Sequence, residues 1–600
     1  MVQRILIFLL AWLPLFASWA CAQDVLVEAE AFNDTGGWFT DQQFMDIMGS
    51  PYLLAHGIGE PVENAATEVI FPEIGTYRLW VRTKDWLPPH HPGTFRVLLD
   101  GQPCGTTFGT VGQGWLWQDG GSVSIDTPRV RLELEDLTGF DGRCDALFFS
   151  KDSATTPPNE PGREMARWRR NLLGLPETPP AAGEFDAVVI GGGIAGCCAA
   201  LTAGRLGLNV ALIQDRPVLG GNASTEIGIQ PEGIGGPIVD EVVKHRGYQR
   251  YRLLASEPSL RVFLGWHAFR VGTDGERITH VDAAKVMRSP YQKDDDHEVS
   301  TQLRFVAPVF IDCTGDGSIG YWAGADWRMG RESRAQHGES LAPETPDDML
   351  LGTSILWTAP RQEEPCPFPE LPWAQSAGLE KLRWTYKRET FRRGSWQWEY
   401  GHHLDTIRNA EKIRDHLLRV IYGTWSNAKN GAQKEELSHF KLTNVPPVAG
   451  KRESRRLMGD YVLTQNDIVE KRTFADAVVT RSWPIDLHYP LSHYPDRPDI
   501  DFIAKAEYLR IEPTEVPFRC LYSRNIENLM MAGRDVSATH VAHGSLRVMK
   551  TGGQMGVAVG AAASLCVAHD TTPRGVYEAH LDRLLRLVGN QPGPEQAAAP

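Results

Sequence analysis

The tightest constraint on this chain is a glycine run, Gly191, Gly193 and Gly196. An apolar stretch, residues 185–190, precedes it. A helix-forming stretch, 199–206, and a second apolar stretch, 209–213, follow. Strand, glycine turn, helix and strand in this order form a βαβ unit that binds a dinucleotide. The first glycine permits the tight turn, and the second lets backbone amides approach a pyrophosphate. The third lets helix and strand pack closely. The helix N-terminus then offers partial positive charge to the phosphates. Glycine spacing alone is a weak signal; the complete βαβ context makes it specific. Gln214 and Asp215 end the second strand, where ribose hydroxyls are held. Gln214 matches that position best and hydrogen-bonds a diol without charge; Asp215 is the alternative.

Three more motifs follow in order. Asp312-Cys313-Thr314-Gly315-Asp316-Gly317 ends the apolar run 305–311. Asn528-Leu529-Met530-Met531-Ala532-Gly533-Arg534-Asp535 comes next, and Gly552, Gly553 and Gly556 then open a helix. Together with residues 191–196 and 214–222, these resemble the FAD-dependent oxidoreductase family of the glutathione-reductase and fumarate-reductase type. The resemblance covers roughly residues 184–569 and implies FAD rather than NAD. It implies a pyrophosphate on Gly191, Gly193 and Gly196, and further contacts from Gly221 and Asn222. Thr314, Gly315 and Asp316 would close the site. Gly533, with either Arg534 or Asp535, would hold the ribityl chain, and the helix carrying Gly553 would point at the flavin. Relatives that attach flavin covalently use a His just after the Gly220-Gly221 turn. Residues 220–225 contain no His, so the FAD is expected to be noncovalent. No cysteine run has iron–sulfur spacing.

Six hundred residues exceed one core, so two or three domains are expected. Residues 1–22 read as a signal peptide: Arg4, the apolar stretch 5–16, then Ala20-Cys21-Ala22. The mature chain is therefore expected to be exported, periplasmic or extracellular. A lipoprotein through Cys21 ranks second, because bulky Trp19 stands where a small residue is preferred. In residues 23–152, Tyr77, Leu79 and Val81 alternate with Arg78, Trp80 and Arg82, the period of a half-buried strand. Several such stretches predict a β-sandwich. Glu28-Ala29-Glu30 and Gly36-Gly37-Trp38 resemble carbohydrate-binding jelly rolls of the family 6/35 type. That resemblance implies a structural calcium held by Glu28, Glu30 and Asp145, and oxygen ligands suit Ca²⁺. Trp86, Trp115 and Trp117 are sugar-stacking candidates, with core packing as the alternative for each. Cys104 and Cys144 are either a disulfide or two separate thiols.

Prolines mark residues 153–183 as a linker with a short helix near 165–173. The FAD-binding part is 184–328 plus 513–569, the substrate or cap domain is the insertion 329–512, and 570–600 form a C-terminal helix and tail. The predicted fold is thus multidomain. An all-β jelly-roll sandwich precedes an α/β Rossmann-like FAD domain with an inserted α+β substrate domain.

A net charge of −14 argues against nucleic-acid or anionic-membrane partners. No segment after the leader reads as membrane-spanning. The expected activity is oxidation of a sugar or sugar-derived alcohol by hydride transfer to FAD, with an unnamed electron acceptor. The alternatives are reduction of an activated double bond and a polysaccharide-binding or lyase protein with structural FAD. His540 and His543 are the candidate bases, with Arg455 or His488 of the insertion next in line, and Arg455 or Arg547 is the candidate proton donor for double-bond reduction.

Overall fold

The computed structural model describes residues 24–590, apart from 294, 375–393, 395–396, 433 and 491–503. The expected signal peptide, Cys21 and the last ten residues lie outside the described residues.

The N-terminal part is a sandwich of two antiparallel sheets. Phe39–Asp41, Tyr52–Ala55, Gly142–Ser150, Gly75–Thr83 and Leu116–Ile125 form one sheet, with Val25–Glu28 also on Gly142–Ser150. Ala65–Ile70, Arg129–Asp136, Phe95–Leu99 and Gln102–Phe108 form the other. The period of two decides which residues meet. Tyr77, Leu79 and Val81 enter the shared core with Phe95, Val97, Leu132, Leu134, Leu147 and Phe149. Cys104 and Cys144 are both free thiols, and Cys144 is fully buried in that core.

The second part is built on a parallel five-stranded sheet ordered Leu260–Leu264, Val210–Gln214, Ala187–Ile190, Val309–Asp312 and Leu529–Met531. Both faces are covered, so these strands are apolar throughout. Ala187 and Val189 face one core, with the helices Ile194–Arg205 and Met549–His569. Val188 and Ile190 face the other, under the antiparallel strands Trp266–Asp274, Arg277–Lys285 and Gln302–Val306. The two helices pack backbone to backbone. A Cβ on Gly556 would stand 2.1 Å from the Ala195 carbonyl oxygen, and one on Gly560 2.5 Å from that of Ala199. Met549–His569 is long and apolar enough to cross a membrane, but 78% of its apolar window is buried in this core.

Residues 329–512 combine the helix Ala410–Asn430 with short sheets: Thr353–Ser354, Glu399–Tyr400 and Gly450–Lys451, and the hairpin Ile485–Pro490 with Ala504–Leu509. Asp405 accepts hydrogen bonds from the Ile407 and Arg408 amides and turns the chain into that helix.

The sandwich is welded to this helix by buried charge. Arg143 donates to Glu411 at 2.6 Å and to Asp415 at 2.7 Å, while Arg414 reaches back to Asp41 at 2.9 Å and to the Tyr52 hydroxyl at 2.9 Å. Arg143, Arg414 and Asp41 are fully buried. Burial alone would raise Asp415, but Arg143 and Arg414 outweigh it and hold the carboxyl below its ordinary value. Trp86 and Trp115 are used at the same seam. Trp86 meets Trp373 edge-on, 5.7 Å between ring centres, and Trp115 donates to Glu411 at 3.2 Å.

Candidate cofactor site and active site

A cleft enclosing about 1620 Å³, mouth included, runs across the C-terminal ends of the parallel strands. It passes every one of the glycine motifs, from Gly191 to Gly552, as an extended dinucleotide requires. Gly191, Gly193, Gln214, Asp215, Gly221, Asn222, Thr314, Gly315, Asp316, Gly533, Arg534 and Gly552 all line it.

The glycines make the cradle. Gly191 turns at φ +104°, and a Cβ there would lie 2.3 Å from the Cys313 carbonyl oxygen. A Cβ on Gly193 would meet nothing nearer than the Gly221 Cα at 3.9 Å, because that residue faces open cleft. Gly196 is a packing residue; a Cβ there would strike the Gly191 carbonyl oxygen at 1.8 Å. Gly553 likewise packs, on Val239 and Ile194, and its neighbour Gly552 faces the cleft.

Gln214 is 3% exposed, and its Oε1 accepts from the Gly192 amide at 2.5 Å. That bond braces the glycine loop and leaves the side-chain NH₂ for a ribose. Asn222 donates to the Lys451 carbonyl at 2.9 Å. Asp316 pairs with the Lys451 ammonium at 2.6 Å, with Arg534 at 3.5 Å. Burial pushes Asp316 up, and Lys451 and Arg534 outweigh it, so the carboxyl sits below its usual range. Of the two ribityl candidates, Arg534 lines the cleft, whereas Asp535 is fully buried outside its lining, with both carboxylate oxygens unpartnered. Burial, then the neighbouring Asp312, raises Asp535 well above the ordinary value. The cradle, the donors at Gln214 and Asn222 and the cation Arg534 fit FAD.

Of the expected catalytic residues, His540, His543 and Arg455 do not line the cleft. His540 is 3% exposed and pairs with Glu453 at 2.9 Å. His543 is fully buried and donates its Nε2 hydrogen to the Arg534 carbonyl at 2.9 Å. Burial pushes His543 down to about 3, so its ring is neutral. Both belong to the helix His540–Leu546 and point into protein. Arg455 stacks on Tyr321, 3.9 Å from the ring centre, outside the cleft.

The side chain that does reach the cleft is Arg547, one residue past that helix, beside Val548, Met549 and Gly552. Its guanidinium lies 2.8 Å from Asp486 and 3.2 Å from His488. His488 is held between Asp486 at 3.0 Å and Glu399 at 2.5 Å, and Arg452 stands 3.4 Å from Glu399. This charged chain comes from three separated stretches of the insertion and one of the core. Arg452 stands in the charged run 452–456, Asp486 and His488 in the run 483–488, and Arg547 beside the Gly552 motif, whereas Glu399 carries no motif visible in sequence.

Glu28, Glu30 and Asp145 do gather, their carboxylate oxygens within 4.8 Å of one another and all buried. The linker helix Arg163–Leu172 brings a cation of its own. Arg169 donates to Glu28 at 2.9 Å and to Asp145 at 2.5 Å, and Arg82 donates to Asp145 at 2.6 Å. A dication between two guanidinium groups would be repelled, so the set as arranged does not fit calcium. On the same helix, Trp168 packs on Trp117, 5.9 Å between ring centres.

Comparison with known proteins agrees with the glycine motifs. The profile of the FAD dependent oxidoreductase family matches residues 186–585. Among solved structures, a family 35 carbohydrate binding module from Clostridium thermocellum is 16% identical, over 21% of this chain and 98% of that one, with a TM-score of 0.19. T. acidophilum thioredoxin reductase is 19% identical, over 22% of this chain and 35% of that one, with a TM-score of 0.15. THI4 of Thermovibrio ammonificans is 18% identical, over 27% and 75%, with a TM-score of 0.19. The family match spans two thirds of the 600 residues, from the first strand of the parallel sheet to the last helix. This chain belongs to the FAD dependent oxidoreductase family.

Proposed function

We propose that this oxidoreductase removes hydrogen from an alcohol carbon of a sugar or sugar-derived polyol, with FAD held noncovalently. The observation that carries the reading is the chain Arg547–Asp486–His488–Glu399 at the end of the cleft marked by Gly552. Bound FAD supplies the hydride acceptor. Arg547 donates to the hydroxyl oxygen and stabilises the charge that grows as its proton leaves. The acceptors nearest the guanidinium are Asp486 and His488, at 2.8 and 3.2 Å; both are buried behind it, outside the cleft lining, so the hydroxyl proton passes to one of them through a bridging water.

Arg547 also favours a second reading, reduction of an activated double bond with an arginine as proton donor. Anaerobic screening of the full chain separates the two. Aldoses and polyols bleaching the flavin band supports oxidation. Bleached protein regaining colour with an unsaturated acid, while no sugar bleaches it, supports reduction and overturns the first reading.

For the N-terminal module we propose a structural role in place of calcium and free sugar binding. Arg169 supports this, because it takes the cation's place. The burial of Trp86 and Trp117, and the bond of half-buried Trp115 to Glu411, set these rings against the insertion and the linker and support it too.

A further inference from the structure

The cleft has one lining segment that does not belong to the FAD-family part of the chain. Gln42, Gln43, Phe44 and Asp46 of the N-terminal sandwich stand in its wall. They are held there firmly. The Gln43 amide group donates to the Pro447 carbonyl at 3.1 Å and accepts from the Ala449 amide at 3.1 Å. Position along the cleft follows from Asp46, which lies 3.8 Å from His267. His267 is the second residue of the strand Trp266–Asp274, which follows Leu260–Leu264, the neighbour of Val210–Gln214, so the segment sits where the second βαβ strand ends. In a dinucleotide laid over the glycine cradle, that is the adenosine end.

Gln42 is the residue without an explanation. It is 2% exposed, and both its Oε1 and its Nε2 are buried with no hydrogen-bond partner. A buried carboxamide left unpaired on both sides is costly and calls for a partner; both atoms lie just beneath the cleft wall, so a turn of the side chain brings them to a bound base. The group needed is one that offers a donor and an acceptor side by side. The adenine edge does so, and a glutamine pairs with it through two hydrogen bonds. Apolar and aromatic surface for the base is at hand in Phe44, Ala268 and Trp322.

We propose that the N-terminal module completes the FAD site and that Gln42 recognises the adenine of the cofactor. The inference rests on FAD being the bound nucleotide, and it makes the sandwich a cofactor-binding part rather than an appendage.

The test uses the full chain stripped of flavin and titrated with FAD or FMN, read by flavin fluorescence. Gln42→Ala is expected to weaken FAD about tenfold, as the loss of a hydrogen-bonded pair implies, and to leave FMN affinity unchanged. FAD affinity within twofold of the unaltered chain overturns the proposal. So does an equal loss for both flavins, which would mean a collapsed cleft. Hydrogen exchange of the unaltered chain gives a reading that needs no variant. Amides of residues 39–48 should slow when FAD binds and stay unchanged with FMN; no slowing with FAD overturns the proposal. A chain that binds neither flavin sinks the cofactor reading along with this one. A chain that binds FAD with indifference to Gln42 sinks this one alone.

Discussion

At the scale of single residues, what the sequence hid was side-chain direction. His540 and His543 stand between two flavin-site motifs, and proximity along the chain marks them as bases. The helix His540–Leu546 turns both inward, and Arg547 just beyond it turns out into the cleft. A glycine position has no such ambiguity. Gly191, Gly220, Gly315 and Gly533 all have φ between +74° and +120°, a demand that is local and therefore visible in sequence. His543 makes a testable pH statement. Its folded value near 3 lies below its ordinary 6.5 because of burial. Between those values the unfolded chain binds a proton that the folded one refuses, so stability is lost as pH falls from 6.5 toward 3. Glu453, held down to about 2 against burial by His540 and Arg456, acts in the same direction at lower pH. Urea midpoints across this range should fall with pH, and His543→Gln should flatten the fall. An unchanged slope in that variant would contradict the assignment. In the chemistry, Arg547→Lys and His488→Ala should keep bound FAD and slow flavin reduction about 10²–10⁴-fold. Wild-type rates in both would remove the charged chain from the reaction.

At the scale of elements, the parallel strands, the sandwich strands and the linker helix were legible because each carries its own periodicity. The helix near 165–173 is observed as Arg163–Leu172. Its purpose was not legible, because Arg169 meets Glu28 and Asp145 across 141 and 24 residues of chain. No local pattern encodes that meeting. Burial raises Glu28 to about 7 and pushes Glu30 well above its ordinary value, and Arg169 works against both shifts. Arg169→Ala should therefore cost about 3–5 kcal/mol, the usual cost of removing one partner of a buried pair. Calcium should leave the melting temperature of the unaltered chain where it is and raise that of Arg169→Ala, where the three carboxylates are freed. A calcium-dependent rise in the unaltered chain would restore the metal reading and displace the arginine one.

At the scale of the whole molecule, the sequence divides cleanly into a β-rich part and a flavin part, and the structure joins them. Asp41, Tyr52, Lys84 and Arg143 of the sandwich share one buried network with Glu411, Arg414 and Asp415 of the insertion. The cleft wall then takes Gln42–Asp46 from the first and Ala410, Ile413 and Lys451 from the second. Such a molecule should melt in one calorimetric transition, with Arg143→Met lowering both the midpoint and the retention of flavin. Two resolved transitions, the first leaving flavin in place, would show that the parts are independent.

The central claim is that the cradle at Gly193 holds a noncovalent FAD, and its most direct measurement is the flavin content of two purified proteins. The unaltered chain should show the oxidised flavin absorbance at about one FAD per chain and release intact FAD on acid or heat. In Gly193→Asp, φ at this position is −66°, so the backbone tolerates a side chain, and the new carboxylate enters the pyrophosphate's place. That variant should fold, as judged by far-UV circular dichroism, and be colourless. Stoichiometric FAD in the folded variant, or no flavin in the unaltered chain, would contradict the account.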